Sequence, residues 1–226
     1  MNYLQLAQRL HRESGRSGNG PTTAGGATKD HARLFDWLAD AWRDLQSRPI
    51  DWRWMREGLD GPTALAQLAY TGADLGVSDF GRWRMVSDDY TVKAYLAAEP
   101  TQVWRLYWLE MDEFKRRFED QDPAAGRPQF WSIGDDDQLM IGPQSDVVYR
   151  LKAEYHREPT ELAADGDEPE LPARHHMILV WAALIQVGIF DNAPEVLARA
   201  RDKFAQMEHA LIDDTARLVT FGGPLA

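Results

Sequence analysis

Val147-Val148-Tyr149-Arg150-Leu151-Lys152-Ala153-Glu154-Tyr155-His156 is the stretch on which the fold turns. Val147, Tyr149, Leu151, Ala153 and Tyr155 fall on one side of an extended chain, and Arg150, Lys152, Glu154 and His156 on the other. Successive side chains of a strand point to opposite faces, so this alternation predicts a half-buried antiparallel strand with one wet face. Upstream, residues 129–133 and 139–141 flank Gly134-Asp135-Asp136-Asp137-Gln138, whose spacing and turn chemistry predict a hairpin. Residues 63–70, 83–87, 91–96 and 103–111 carry Tyr, Val and Trp at the density of strands. Among them, residues 112–119 place Phe114 and Phe118 four apart, the spacing of a short helix.

Outside this region the apolar period changes from two to nearly four. Tyr3, Leu6, Ala7 and Leu10 predict a helix over residues 2–14, with Asn2 and Gln5 as its cap and Gly15 as its stop. Residues 14–26 hold five glycines and Pro21, the composition of a flexible connection. No strand precedes those glycines and no Gly-Lys-Ser/Thr follows, so they lack the context of a phosphate loop. A second helix spans 28–47, with Leu34, Leu38, Ala41 and Leu45 in a stripe that Trp37 and Trp42 broaden. Thr28 is placed to cap it and Pro49 to end it. Asp51-Trp52-Arg53-Trp54-Met55 follows, before Gly58, Gly61 and Pro62 break the pattern.

The chain returns to helix after the acidic loop 165–172. Pro172 suits the first turn of a helix running to Phe190, apolar nearly all round and therefore central. Its apolar run, residues 177–190, is shorter than the about 20 residues that span a bilayer and reads as core. Asp191-Asn192-Ala193-Pro194 makes a turn into a last helix, whose Leu197, Ala200, Phe204, Met207 and Leu211 form a coiled-coil-like seam. The fold predicted is α+β: a helical bundle from residues 1–62 and 171–226 with an extended C-terminal tail, and an inserted antiparallel β-rich lobe over 63–170.

Composition narrows the chemistry. The 226 residues carry 25 Lys and Arg against 36 Asp and Glu, a net charge of −11, which disfavours a surface built to grip phosphates. Absence of Cys excludes disulfides, cysteine nucleophiles, iron–sulfur clusters and Cys-type zinc sites. Nine Trp, seven Tyr and eight Phe point to thick packing or large interfaces. Met1-Asn2-Tyr3-Leu4-Gln5-Leu6 has neither the basic region nor the apolar stretch of a signal peptide, which predicts synthesis in a reducing cytoplasm.

Each candidate for chemistry has a plainer reading. Asp135-Asp136-Asp137 offers carboxylates to a hard cation but lacks the alternate ligand positions and distal Glu of a calcium loop, so a solvated hairpin tip is expected. His175 and His176 are adjacent rather than four apart, which leaves one bonding near the helix start and the other exposed. Glu154 and His156 share a strand face as an acid–base pair would, or as a solvated ladder does. Ser87, Ser132 and Ser145 lack a Gly-x-Ser-x-Gly elbow. Arg199, Arg201 and Lys203 lie off the helical seam and, with Arg217, suit protein contact better than nucleic acid. No catalytic, cofactor-binding or metal-binding residue is assigned.

A resemblance adds a role. Met1-Asn2-Tyr3-Leu4-Gln5-Leu6-Ala7-Gln8-Arg9-Leu10, the loop with Gly20-Pro21-Thr22-Thr23, and Arg33-Leu34-Phe35-Asp36-Trp37-Leu38-Ala39-Asp40-Ala41-Trp42 resemble the opening of bacteriophage head-to-tail adaptor proteins, the portal-binding connectors. Asp51-Trp52-Arg53-Trp54-Met55 does so too. Pro143, Tyr149-Arg150-Leu151, Tyr155, Pro159, Leu162 and Asp167-Glu168-Pro169-Glu170-Leu171-Pro172 are similar to the second half of that family. The resemblance implies a non-enzymatic virion protein at the head–tail interface, assembled in the host cytoplasm. It implies a homo-oligomer, a dodecameric ring below the portal protein, that extends the DNA channel and joins a tail or nozzle protein. Genome DNA then passes without specific binding, and neither cofactor nor membrane is involved. Arg199, Arg201, Lys203, Arg217, Phe221 and Leu225 are the expected portal contacts. A tail-completion or head-closure protein, or a glycan hydrolase acting through Glu154 or an acidic loop, are the alternatives.

Overall fold

The computed structural model describes residues 1–84, 92–121 and 123–215. The helices are α1 (Tyr3–Glu13), α2 (Lys29–Ser47), α3 (Met111–Phe114), α4 (Met177–Phe190) and α5 (Pro194–Thr215). The strands are β1 (Arg56–Pro62), β2 (Ala69–Tyr70), β3 (Phe80–Trp83), β4 (Lys93–Leu96) and β5 (Trp104–Arg105), then β6 (Tyr107–Trp108), β7 (Phe130–Ile133), β8 (Leu139–Gly142) and β9 (Tyr149–Arg157). The fold is α+β, as the change of period predicts. It divides into two compact units, Met1–Trp54 with Pro159–Ala226, and Met55–Glu158.

In the helical unit, α1 begins with the predicted capping box: Asn2 Oδ1 accepts from the Gln5 amide, and Gln5 Oε1 accepts from the Asn2 amide. Gly15, at φ 72°, follows its end in the left-handed region that glycine tolerates. The Thr28 side chain, expected to cap α2, makes no cap hydrogen bond. Arg48 leaves α2 extended, as the residue before Pro49 must. Trp42 and Trp52 are fully buried, and Trp52 Nε1 donates to the Leu45 carbonyl at 2.9 Å. The glycine-rich stretch after α1 is tied down rather than free. Gln8 Nε2 donates to the Pro21 carbonyl, the Ala24 amide donates to Asp165, and Arg16 pairs with Asp191 at 2.8 Å. Side chains from distant segments there replace the regular backbone pairing that the composition cannot supply.

α4 is central as predicted, packed against α1, α2 and α5. By length and composition alone Ala173–Phe190 would suffice to cross a membrane, yet half of it is buried among these helices. Gly188 lets α5 come close, since a Cβ there would lie 3.0 Å from the Leu197 backbone. Along α5, Ala200 and Leu211 are buried and Leu197, Phe204 and Met207 half-buried, which is the predicted seam.

In the β unit, one sheet has the order β1-β9-β4-β5, with β3 also on β9; the other is β2-β8-β7-β6. Both sheets feed one core that includes Tyr70, Leu106, Trp131, Ile141 and Leu151. β9 keeps the predicted alternation from Tyr149 to Tyr155. It starts later than the sequence pattern, leaving Val147 and Val148 exposed. The 134–138 hairpin forms, with Ile133 opposite Leu139.

Several expectations are corrected. Residues 56–62, read as broken by Gly58, Gly61 and Pro62, form β1, paired with β9 along its whole length. β1 lies at the sheet's edge, where a terminal proline sacrifices no ladder bond. Residues 63–70 yield only β2, because Ala66 turns the chain at φ 56°. Residues 103–111 split between the two sheets as β5 and β6, with buried Leu106 between them. The lobe is not purely antiparallel: β6 and β7 run parallel, and the long connection through α3 provides the crossover such a pair needs. The predicted 112–119 helix becomes α3 followed by a π-turn, Lys115–Glu119, with the Phe114 and Phe118 rings 4.9 Å apart. Of the predicted strand 83–87, only Trp83 and Arg84 lie within the described residues.

Candidate functional site

α4 is apolar all round, and three helices cannot cover a whole cylinder. Ala182 and Ile185, three apart and only partly buried, remain as the floor of a groove of about 430 Å³, which fully buried Ile178 closes off at one end. Trp37, Asp40 and Asp44 of α2 form one wall, and Phe204 of α5 the other. Arg48 braces the walls: its guanidinium lies over the Phe204 ring at 5.2 Å and pairs with Glu208. Past the floor, Ile189 and Phe190 are 55% and 54% exposed. Phe190 is gripped by Arg33, 4.5 Å above the ring, and by Trp37. An aromatic side chain exposed beside arginines has the make-up of a protein-contact hot spot.

The predicted contact residues of α5 do not behave alike. Arg199 is engaged within the unit, donating to the Glu13 carbonyl at 2.6 Å and lying 5.7 Å from the Trp181 ring. Arg201 and Lys203 are exposed, and Lys203 only approaches Gln206, at 3.5 Å. Arg217, Phe221 and Leu225 lie outside the described residues.

The last turn of α5 is fastened. Asp214 Oδ2 accepts from Arg174 Nε at 2.7 Å and bonds His175 Nε2 at 2.8 Å. Those two hydrogen bonds hold its carboxyl below the usual range, despite some desolvation. His176, expected with His175 as one bonded and one exposed, is buried as well; its Nε2 meets the Leu171 carbonyl at 3.0 Å. Burial pushes the His176 imidazole below its ordinary value, keeping it neutral. Both histidines are absorbed at the start of α4 because that start is itself covered.

Glu154 is exposed and paired with Arg84, whereas His156 is buried. Near its end β9 is paired on both edges, with Arg56 and Arg82 in register with His156, and the face expected to be wet there is buried. Ser132 and Ser145 are buried, and Ser87 lies outside the described residues. At the hairpin tip Asp135 faces Lys115 at 3.3 Å, and the Asp137 carbonyl accepts from Trp83 Nε1 at 2.7 Å. Among the described residues no cluster of three or more His, Asp or Glu is set to hold a metal. Asp40 and Asp44 share the 430 Å³ groove but rise from one wall, one turn apart. Paired glycosidase carboxyls flank the bond they cut.

The β unit fixes its own polar groups. Asp60 accepts from Tyr95 at 2.8 Å and from Arg150 at 2.8 Å, and these bonds outweigh burial to lower its carboxyl. Tyr155 donates to Asp79 at 2.8 Å, and burial together with that carboxylate pushes its phenol up to about 12.

The helical unit thus carries a groove with an exposed aromatic side chain, Phe190, beyond it, and a terminal helix fastened at its last turn. The chain belongs to the SU10 adaptor protein family, which it matches over residues 1–225. It is therefore a phage adaptor and a virion component that meets head and tail structures, and the family points to a structural rather than a catalytic role. No curated protein matches the chain.

Proposed function

We propose that this adaptor forms a dodecameric ring beneath the portal protein, extends the DNA channel and receives the tail or nozzle protein on its far side. The observation that carries the proposal is the adaptor-family match along nearly the whole chain, residues 1–225. Charge supports the channel role. Each copy brings a net charge of −11, and a wall that repels phosphates lets DNA pass without the sequence-independent attraction basic walls exert. Acidic groups therefore outnumber basic ones along the lumen. The portal contact comprises the exposed Arg201 and Lys203 together with Arg217, Phe221 and Leu225 of the C-terminal segment. Arg199, committed to Glu13, serves that contact less directly.

Co-sedimentation with purified portal tests this. The full chain travels with the portal, and Arg201→Glu with Lys203→Glu weakens that association while leaving the helical circular dichroism unchanged. A full chain that never travels with the portal overturns the proposal.

A further inference from the structure

The chain has three asparagines, Asn2, Asn19 and Asn192, and they differ in what the next amide does. The Tyr3 amide after Asn2 donates to the Asp167 carbonyl at 2.7 Å, and the Ala193 amide after Asn192 donates to the Gly188 carbonyl at 2.9 Å. Asn2 is also held by its own side chain, which caps α1. Asn19 is exposed and its side chain makes no hydrogen bond among the described residues, nor does the Gly20 amide that follows it. We propose that Asn19 is a site of spontaneous, one-way modification: it deamidates to isoaspartate and aspartate, and the isoaspartate form unseats the glycine-rich loop from α1.

The Gly20 amide nitrogen attacks Asn19 Cγ. An N–Cγ bond forms, the Cγ–Nδ2 bond breaks, and Nδ2 leaves as ammonia with the amide proton, so that a cyclic imide remains. Water then opens the imide at either carbonyl. Opening at Cγ gives aspartate; opening at the main-chain carbonyl leaves the backbone running through Cβ and Cγ, as isoaspartate. Water is consumed and ammonia released, with neither oxidant nor enzyme.

The loop favours imide closure at Asn19 alone. Gly20 has no Cβ to shield its nitrogen. An amide that already donates is held to its acceptor, as those of Tyr3 and Ala193 are and that of Gly20 is not. The loop is tied at Arg16 to Asp191, at Pro21 to Gln8 and at Ala24 to Asp165, which leaves residues 17–20 between ties. A Cβ at Gly20 would lie 3.6 Å from His11 Nδ1, so the backbone there rests on a buried imidazole. An added main-chain carbon before Gly20 and a new carboxylate displace it from that seat. The same lengthening pulls on Pro21, whose carbonyl accepts from Gln8 Nε2 at 3.1 Å.

The test holds the folded full chain for days in mildly alkaline buffer and maps its peptides by mass spectrometry, with isoaspartate separated from aspartate by retention. Asn19 converts, isoaspartate being the larger product, while Asn2 and Asn192 stay intact. In Gly20→Ala the conversion is about tenfold slower, a barrier higher by about 1.4 kcal/mol. That variant folds normally, since the Gly20 backbone lies outside the left-handed region and the added Cβ meets His11 at an ordinary van der Waals distance. Trypsin cuts after Arg16 faster in the converted chain than in the fresh one. An Asn19 that stays intact while a free peptide of residues 14–23 converts, or equal conversion in Gly20→Ala, overturns the site. Equal cleavage rates overturn the unseating. No portal is present in either readout, so failure here is distinct from failure of ring assembly.

Discussion

Gly58 and Gly61 lie three residues apart on β1 and differ in what a side chain would meet. A Cβ at Gly61 would lie 2.6 Å from the Leu75 carbonyl oxygen, while at Gly58 nothing lies within 4 Å. Gly61→Ala therefore costs about 1–3 kcal/mol by overpacking against backbone, and Gly58→Ala stays within about 0.5 kcal/mol. Urea unfolding followed by tryptophan fluorescence separates the two. His176 gives a pH signature. Burial lowers its imidazole below the unfolded value, so the unfolded chain binds the proton more readily. Its contribution is complete above about pH 6.5 and is lost as pH falls through the lowered folded value. His11, lowered by burial and by neighbouring His31 and Arg16, acts with the same sign. Thermal unfolding followed by helical circular dichroism shifts to lower temperature between about pH 7 and pH 5, with a shallower slope in His176→Gln. The burial of both His175 and His176 was not legible, because adjacency on a helix separates two faces without saying that each is covered.

Among elements, β9 was legible because one face is wet: Lys152 and Glu154 alternate with buried Leu151 and Ala153. Leu151, wholly buried, is the point at which that reading is tested. Leu151→Ala costs about 2–5 kcal/mol and Lys152→Ala within about 0.5 kcal/mol, measured by equilibrium denaturation of the β unit. β1 was missed because Gly58, Gly61 and Pro62 carry turn chemistry, and only its seven-residue pairing with β9 overrides that preference. Trp104 and Tyr107 read as one strand because their aromatic density is continuous; their assignment to different sheets depends on partners far along the chain. α1 and α5 were legible in type and in where they start, since a capping box and Pro194 mark them, whereas Pro172, expected in the first turn of α4, opens a separate 3-10 turn, Ala173–His175, ahead of it.

For the whole molecule, the change of period from near four to two and back gave the α+β class, and the motifs shared with adaptor proteins gave the role. The groove of the helical unit was not legible. Its floor is the face of α4 left over after α1, α2 and α5 have packed, which no window of sequence contains. The one hint was that a helix apolar all round needs more cover than three neighbours provide. The measurement that tests the central claim most directly is cryo-electron microscopy of purified portal mixed with this chain. The account predicts a closed dodecameric ring of the chain seated on the portal, coaxial with its channel and with a net acidic inner wall. Portal particles with no added density, or a ring whose lumen is lined chiefly by Arg and Lys, would contradict it.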